Sequence, residues 1–179
     1  GASLENSLRG LPDSVDFVSI WGNWRNLTPE RKADLEYAQT VKGTRALVCF
    51  IVQNVGDQLT PEGEDATTFW GEGDEAIVKY ANAICDTIDK YGYDGFDYDY
   101  EPNYGHRGNI SGVPAAEKVF VEALSRRLGP KSGTDKMLVI DGEPQTINSE
   151  LGPCFNYFIV QAYQCTGDAN LDGRLQGTI

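Results

Sequence analysis

Between positions 93 and 105 the chain reads Tyr-Asp-Gly-Phe-Asp-Tyr-Asp-Tyr-Glu-Pro-Asn-Tyr-Gly, and this alternation of acids with aromatics constrains the fold more than any other feature. If Gly95 to Glu101 is extended, the two-residue period of a strand puts Asp97, Asp99 and Glu101 on one face and Phe96, Tyr98 and Tyr100 on the other. A half-buried strand turns its polar face to solvent. Here the opposite face is aromatic and calls for a covering layer of helices, so the acids point into a confined space. Like charges two residues apart on one face raise each other's pKa, and at least one proton is expected to stay with the group near neutrality. Glu101 is the leading candidate for a general acid. It comes last, beside Pro102, where the strand must give way to a loop that a substrate can reach. Two other readings stand beside this one: a row of oxygen ligands for calcium or magnesium, and an edge strand guarded by charge.

The rest of the chain alternates strand and helix signals. Val15 to Trp21 reads as a strand. Thr28-Pro29-Glu30 then supplies an N-cap, a first-turn proline and a first-turn acid for a helix to about Lys42, stopped by Gly43. Arg45 to Gln53 is a continuous apolar run suited to a strand buried on both faces, followed by a polar, Gly- and acid-rich loop. Asp74 is the expected cap of a helix over residues 75–90 with Ile77, Ala81, Ile84, Cys85 and Ile88 inward. After the acidic strand, a helix is expected from Pro114 to Leu128, a strand from Met137 to Asp141, and a last strand from Phe155 to Tyr163. Leu4 to Leu8 reads as the last turns of a helix closed by Gly10, and Gly167 opens a polar tail. Five strands alternating with helices indicate βαβ units and a parallel α/β sheet. A (β/α)8 TIM-type barrel has eight strands and typically about 250 residues, so 179 residues would hold an incomplete one. An open doubly wound sheet fits the strand count equally well, although no G-x-G-x-x-G dinucleotide motif is present.

Asp94-Gly95-Phe96-Asp97-Tyr98-Asp99-Tyr100-Glu101 resembles the D-G-x-D-x-D-x-E signature of glycoside hydrolase family 18, the chitinases and endo-β-N-acetylglucosaminidases, and all four acids are in place. The resemblance implies a single barrel domain over residues 1–179 that lacks the first strand and the last two units. It also implies retaining hydrolysis without a carboxylate nucleophile, the substrate's own 2-acetamido oxygen attacking the anomeric carbon. In that scheme Glu101 matches the acid/base, Asp99 matches the group that orients the acetamide, and Asp97 lies behind Asp99. Asp94 is either part of this machinery or a structural cap for the turn at Gly95. Gln161 and Tyr163 share a strand face, and Gln-x-Tyr resembles the sixth-strand segment of the endo-β-N-acetylglucosaminidases, where the tyrosine hydroxyl helps hold the acetamide. Chitinases usually carry Met-x-Tyr-Asp there. Trp21, Trp24 and Tyr104 fall in strand-end loops and are candidate platforms for sugar faces. His106, the only histidine, lies in a polar loop without an evident acid partner and reads as a rim residue.

Composition limits the partners. With 27 acidic against 15 basic residues the formal charge is -12, which disfavours nucleic acid, and a neutral or weakly charged glycan built on N-acetylglucosamine fits better. No run approaches the roughly 18 apolar residues of a membrane span, and no signal peptide is evident at Gly1. Cys49, Cys85, Cys154 and Cys165 form no C-x-x-C pair, so neither a zinc site nor a redox motif is expected, and buried thiols are the expected state. Asp168-Ala-Asn-Leu-Asp172-Gly173 opens like a calcium loop, but its twelfth position is Ile179, which makes a polar turn the better reading. No cofactor or metal is expected. The expected setting is secreted or cell-surface, and a glycan-binding protein without hydrolysis, or a chitinase, is the alternative.

Overall fold

The computed structural model describes residues 17–161 and the backbone of 175–178. The expected helical turns at Leu4 to Leu8, Tyr163, Cys165 and the turn at residues 168–173 lie outside the described residues. Five strands, β1 (Phe17–Trp21), β2 (Arg45–Ile51), β3 (Gly95–Tyr100), β4 (Met137–Gly142) and β5 (Tyr157–Val160), pair in parallel and in chain order, and β6 (Leu175–Thr178) returns antiparallel beside β5. The five parallel strands curl as a half-barrel of the (β/α)8 kind. The helices are α1 (Pro29–Thr40), α2 (Ala66–Trp70), α3 (Gly73–Tyr91) and α4 (Pro114–Ser125). None of the described helices is long and apolar enough to cross a membrane.

The helices form where their end signals and apolar stripes agree. Thr28 caps α1 by accepting from the Arg31 amide at 3.2 Å, with Pro29 in the first turn. In α3 the buried residues Ala76, Ile77, Tyr80, Ala81, Ile84, Cys85 and Ile88 recur at three- and four-residue steps, and the helix stops at Gly92, left-handed at φ 74°. Its start differs from expectation. Glu72 stands at the cap without a side-chain bond, and Asp74 falls in the first turn, where its charge complements the positive end of the helix dipole. The short α2 interrupts what reads as loop: Asp65 caps it by accepting from the Thr68 amide at 2.9 Å. Trp70, buried at its end, donates to Thr60 Oγ1 at 2.9 Å.

The alternation in β3 sorts the molecule into two environments. Its aromatic face meets α3 and α4: the Phe120 ring lies 5.3 Å from that of Tyr98 and 5.7 Å from that of Tyr80, and Phe96 packs at 4.9 Å on Phe50 of β2. On the inner side Phe17, Leu47, Met137, Val139 and Ile159 form a second buried cluster. Asp94 takes the structural role. Its Oδ2 accepts from the Ala46 amide and from Gln39 Nε2, both at 2.8 Å, and so ties α1 and β2 to the start of β3. Gly95 follows because nothing larger fits: a Cβ there would sit 2.2 Å from the Met137 carbonyl oxygen of β4.

Candidate active site

The carboxyl ends of the parallel strands gather the acids. Asp97 and Asp99 lie in β3, and Glu101 is the first residue beyond it, entering a 3-10 turn at Pro102–Tyr104. All three are buried, Asp97 completely and Glu101 to 7% exposure, so the acids do face a confined space. Register then adds a residue that the sequence reading passed over as the end of an apolar strand. Asp99 of β3 pairs with Asp141 of β4, which is fully buried as well. Gln161 reaches back from beyond β5 and donates from Nε2 to Asp141 Oδ1 at 2.9 Å, so it meets the acid row. Ser19 of β1 donates to Asp97 Oδ2 at 2.5 Å and supports the row from the other flank.

Crowding fixes the protonation. Burial first, then the charges of Glu101 and Asp141, a hydrogen bond with Glu101, and the charge of Asp97 push the Asp99 carboxyl up from 3.8 to about 9. A neutral solution therefore leaves Asp99 protonated, and the proton is shared toward Glu101. The retained proton expected of this stretch rests on Asp99. Its Oδ1 is buried with no hydrogen-bond partner among the described residues, an acceptor position at the heart of the site.

The loop after β3 is held down by further polar contacts. Glu143, buried just past β4, accepts from both the backbone amide and the side-chain amide of Asn103 at 2.8 Å, which fixes the turn that carries Glu101 and Tyr104. Arg107 braces the same turn by donating to Pro102 O at 3.1 Å and to Asn103 Oδ1 at 2.9 Å. His106 gains the acid partner that the sequence did not reveal: its Nε2 lies 3.6 Å from Glu101 Oε2.

The aromatic candidates separate. Trp21 ends β1 in register with Cys49 of the inner face and is 45% exposed, and Tyr104 is 56% exposed in the turn directly after Glu101, so both stand at the rim. Trp24 does not join them. It is buried on the helix side, stacked on Phe50 at 6.1 Å and edge-on to Tyr91 at 6.0 Å, with its carbonyl accepting from the Tyr93 hydroxyl at 2.7 Å, which makes it a core residue and not a sugar platform. Tyr163 lies outside the described residues. As for metals, Cys49, Asp97 and Asp141 bring a thiol and two carboxylates within 4.8 Å of one another. Hard cations take six to eight oxygens, and two carboxylates with a sulfur do not supply that set. Cys49, Cys85 and Cys154 are buried and form no disulfide, and burial raises the Cys85 thiol to about 12.

Comparison with known proteins follows this geometry. A sequence profile described as "Glycoside hydrolase family 18, BT1044-like" matches residues 1–179. Endo-beta-N-acetylglucosaminidase F2 of Elizabethkingia meningoseptica is 31% identical over 171 residues, which cover 88% of this chain and 44% of that protein. The solved structure of selenomethionine BT1044 with a Glu-to-Gln substitution superposes with a TM-score of 0.81 at 45% identity, over 91% of this chain and 53% of that one. An apo endo-beta-N-acetylglucosaminidase from Cordyceps militaris shares the fold at a TM-score of 0.59 and 22% identity, over 89% of this chain and 51% of that one. The chain thus spans about half the length of the relatives it matches. With a profile match along its whole length and a buried acidic row at the strand ends, the chain belongs to glycoside hydrolase family 18.

Proposed function

We propose that the protein is a retaining glycoside hydrolase that cuts β-1,4 links between N-acetylglucosamine units, with the chitobiose core of N-glycans as its substrate. The observation that carries this reading is the buried row of Asp97, Asp99, Glu101 and Asp141, whose crowding raises the Asp99 carboxyl. Similarity to an endo-beta-N-acetylglucosaminidase and the position of Gln161 on Asp141 support that branch over the chitinases. Such glycans place the enzyme in a secreted or cell-surface setting.

In this scheme the proton shared between Asp99 and Glu101 moves onto Glu101, which passes it to the departing glycosidic oxygen as the C1–O bond breaks, and the acetamide carbonyl oxygen bonds to C1 to give an oxazolinium ion. Asp99 Oδ1 accepts from the acetamide N–H and aims the nucleophile, with Asp97 and Asp141 beside it in the buried row. Glu101, now a carboxylate, takes a proton from the water that opens the ring. Tyr163 would add its hydroxyl to the acetamide carbonyl. Trp21 and Tyr104 would stack on sugar faces at the rim.

Intact-mass analysis of an N-glycosylated protein before and after incubation tests the reading: the expected product keeps one N-acetylglucosamine on each asparagine. If high-mannose glycoproteins, complex glycoproteins and chito-oligosaccharides all stay uncut, the alternative of a glycan-binding protein without hydrolysis replaces it.

A further inference from the structure

Beyond the acids, one imidazole reaches Glu101 from outside the strand, and its tautomer can be read from its neighbours. Gln53, just past β2, places its side-chain nitrogen Nε2 at 3.3 Å from the Gly105 carbonyl oxygen and at 3.4 Å from His106 Nδ1. A carbonyl only accepts, so the Gln53 atom facing it is the amide NH2, and the same NH2 offers its second hydrogen to Nδ1. Nδ1 must then be the bare nitrogen of the imidazole. The ring hydrogen is left on Nε2, which points at Glu101 Oε2 across 3.6 Å. The neighbouring cation is engaged elsewhere, since Arg107 is committed to Pro102 O and Asn103 Oδ1.

The loop that carries His106 is built to hold this approach. The Gln53 carbonyl accepts from the Ile110 and Ser111 amides at 3.0 and 3.3 Å, and its own amide donates to Asp57 Oδ2 at 2.7 Å. Asn109 and Asn54 exchange further bonds across the same seam: Asn109 Oδ1 accepts from the Val55 amide and Asn54 Oδ1 from the Asn109 amide, each at 2.8 Å. Gly108 lets the two loops close up, because a Cβ there would lie 2.3 Å from Gln53 O.

Resting on the glycosidase reading above, we propose that His106, with its tautomer set by Gln53, is a positioning residue that donates from Nε2 to Glu101 and stabilises the carboxylate formed when Glu101 passes its proton to the leaving sugar. The 3.6 Å separation shortens to a hydrogen bond as that charge develops, in keeping with contacts that tighten only in the reacting complex. The contact favours the first step, in which Glu101 loses a proton. It opposes the second, in which Glu101 must gain one, because a donor on a carboxylate lowers its basicity.

The two steps can be read separately. His106→Phe is expected to slow cleavage of an N-glycopeptide by about tenfold in kcat with KM little changed, as the loss of one charge-assisted bond would do. Hydrolysis of a synthetic glycan oxazoline, which enters after the first step, should be unchanged or faster. His106→Gln, which keeps a donor, should recover most of the first-step rate. Gln53→Met removes the amide that sets the tautomer and should give the same split in weaker form, and it carries the test if His106→Phe does not fold. Equal slowing on both substrates would reduce His106 to a structural part of the loop and overturn the proposal, as would no slowing on either. A wild-type protein that opens oxazoline but leaves every glycopeptide intact would overturn the glycosidase reading itself, and this proposal with it.

Discussion

Asp99 carries its proton because it is the carboxyl with acids on three sides and almost no water. Asp99 and its neighbour Glu101 yield two predictions. Glu101→Gln keeps the shape of the acid but cannot give or take the proton, so hydrolysis should fall by on the order of 100-fold or more while glycan binding measured by calorimetry persists. Asp99→Asn should lose hydrolysis yet still transfer sugar from a preformed oxazoline to an acceptor, and full hydrolytic activity in both variants would move the chemistry elsewhere. The second concerns stability. The Asp99 carboxyl is raised in the folded state from 3.8 to about 9, so its favourable contribution is complete below about pH 3.8 and is lost as pH rises toward 9. Thermal melts should show the wild type losing stability between pH 5 and 9, with a flatter profile for Asp99→Asn. The acids of β3 were legible because a strand period is local. Asp141 and His106 were not: one enters through pairing between β3 and β4, the other through a loop folded back on Gln53.

Helices and strands of this chain announce themselves where the signals are periodic and end-capped. α1 begins at Pro29 and α4 at Pro114, as the proline positions indicate, and β2 follows its apolar run. α2 escaped because five residues are too few to show a period, and Asp65 and Trp70 define it by contacts with Thr68 and Thr60. Trp24 was misplaced for a related reason: a loop position after a strand says nothing about which side of the sheet the ring will choose. At the junction of β3 and β4 the backbone itself limits the side chain. Gly95→Ala would drive a methyl group against the Met137 carbonyl, and the expected loss is about 1–3 kcal/mol by urea denaturation, with reduced activity as the acids above it shift.

Across the whole molecule, helices cover one side of the curled sheet and the other is divided by height. Phe17, Leu47 and Met137 fill its lower part, and the acids lie above them with Val139 and Ile159 alongside, within a chain of formal charge -12. The sign of that charge bears on the glycan arms under the proposed function. Sialylated arms should be repelled relative to neutral ones, and raising salt from about 10 mM to about 150 mM shortens the screening length from about 30 Å to about 8 Å. KM for a sialylated glycopeptide should therefore fall over that range while KM for a high-mannose one stays level, as steady-state assays at two salt concentrations would show.

The apolar cluster underlies the acid row through Phe17, Leu47 and Met137 and flanks it through Val139 and Ile159. Under the proposed function, a sugar seated at the strand ends would lie across the route by which hydrons enter and leave. A seated glycan would act as a stopper, and the number of protons aboard would be set at the instant of docking and held until product departs. The enzyme would keep a short memory of the solution from which its substrate was taken. Single-turnover mixing should reveal it: for a preformed complex jumped to a new pH, the first cleavage follows the old pH and only later turnovers follow the new one.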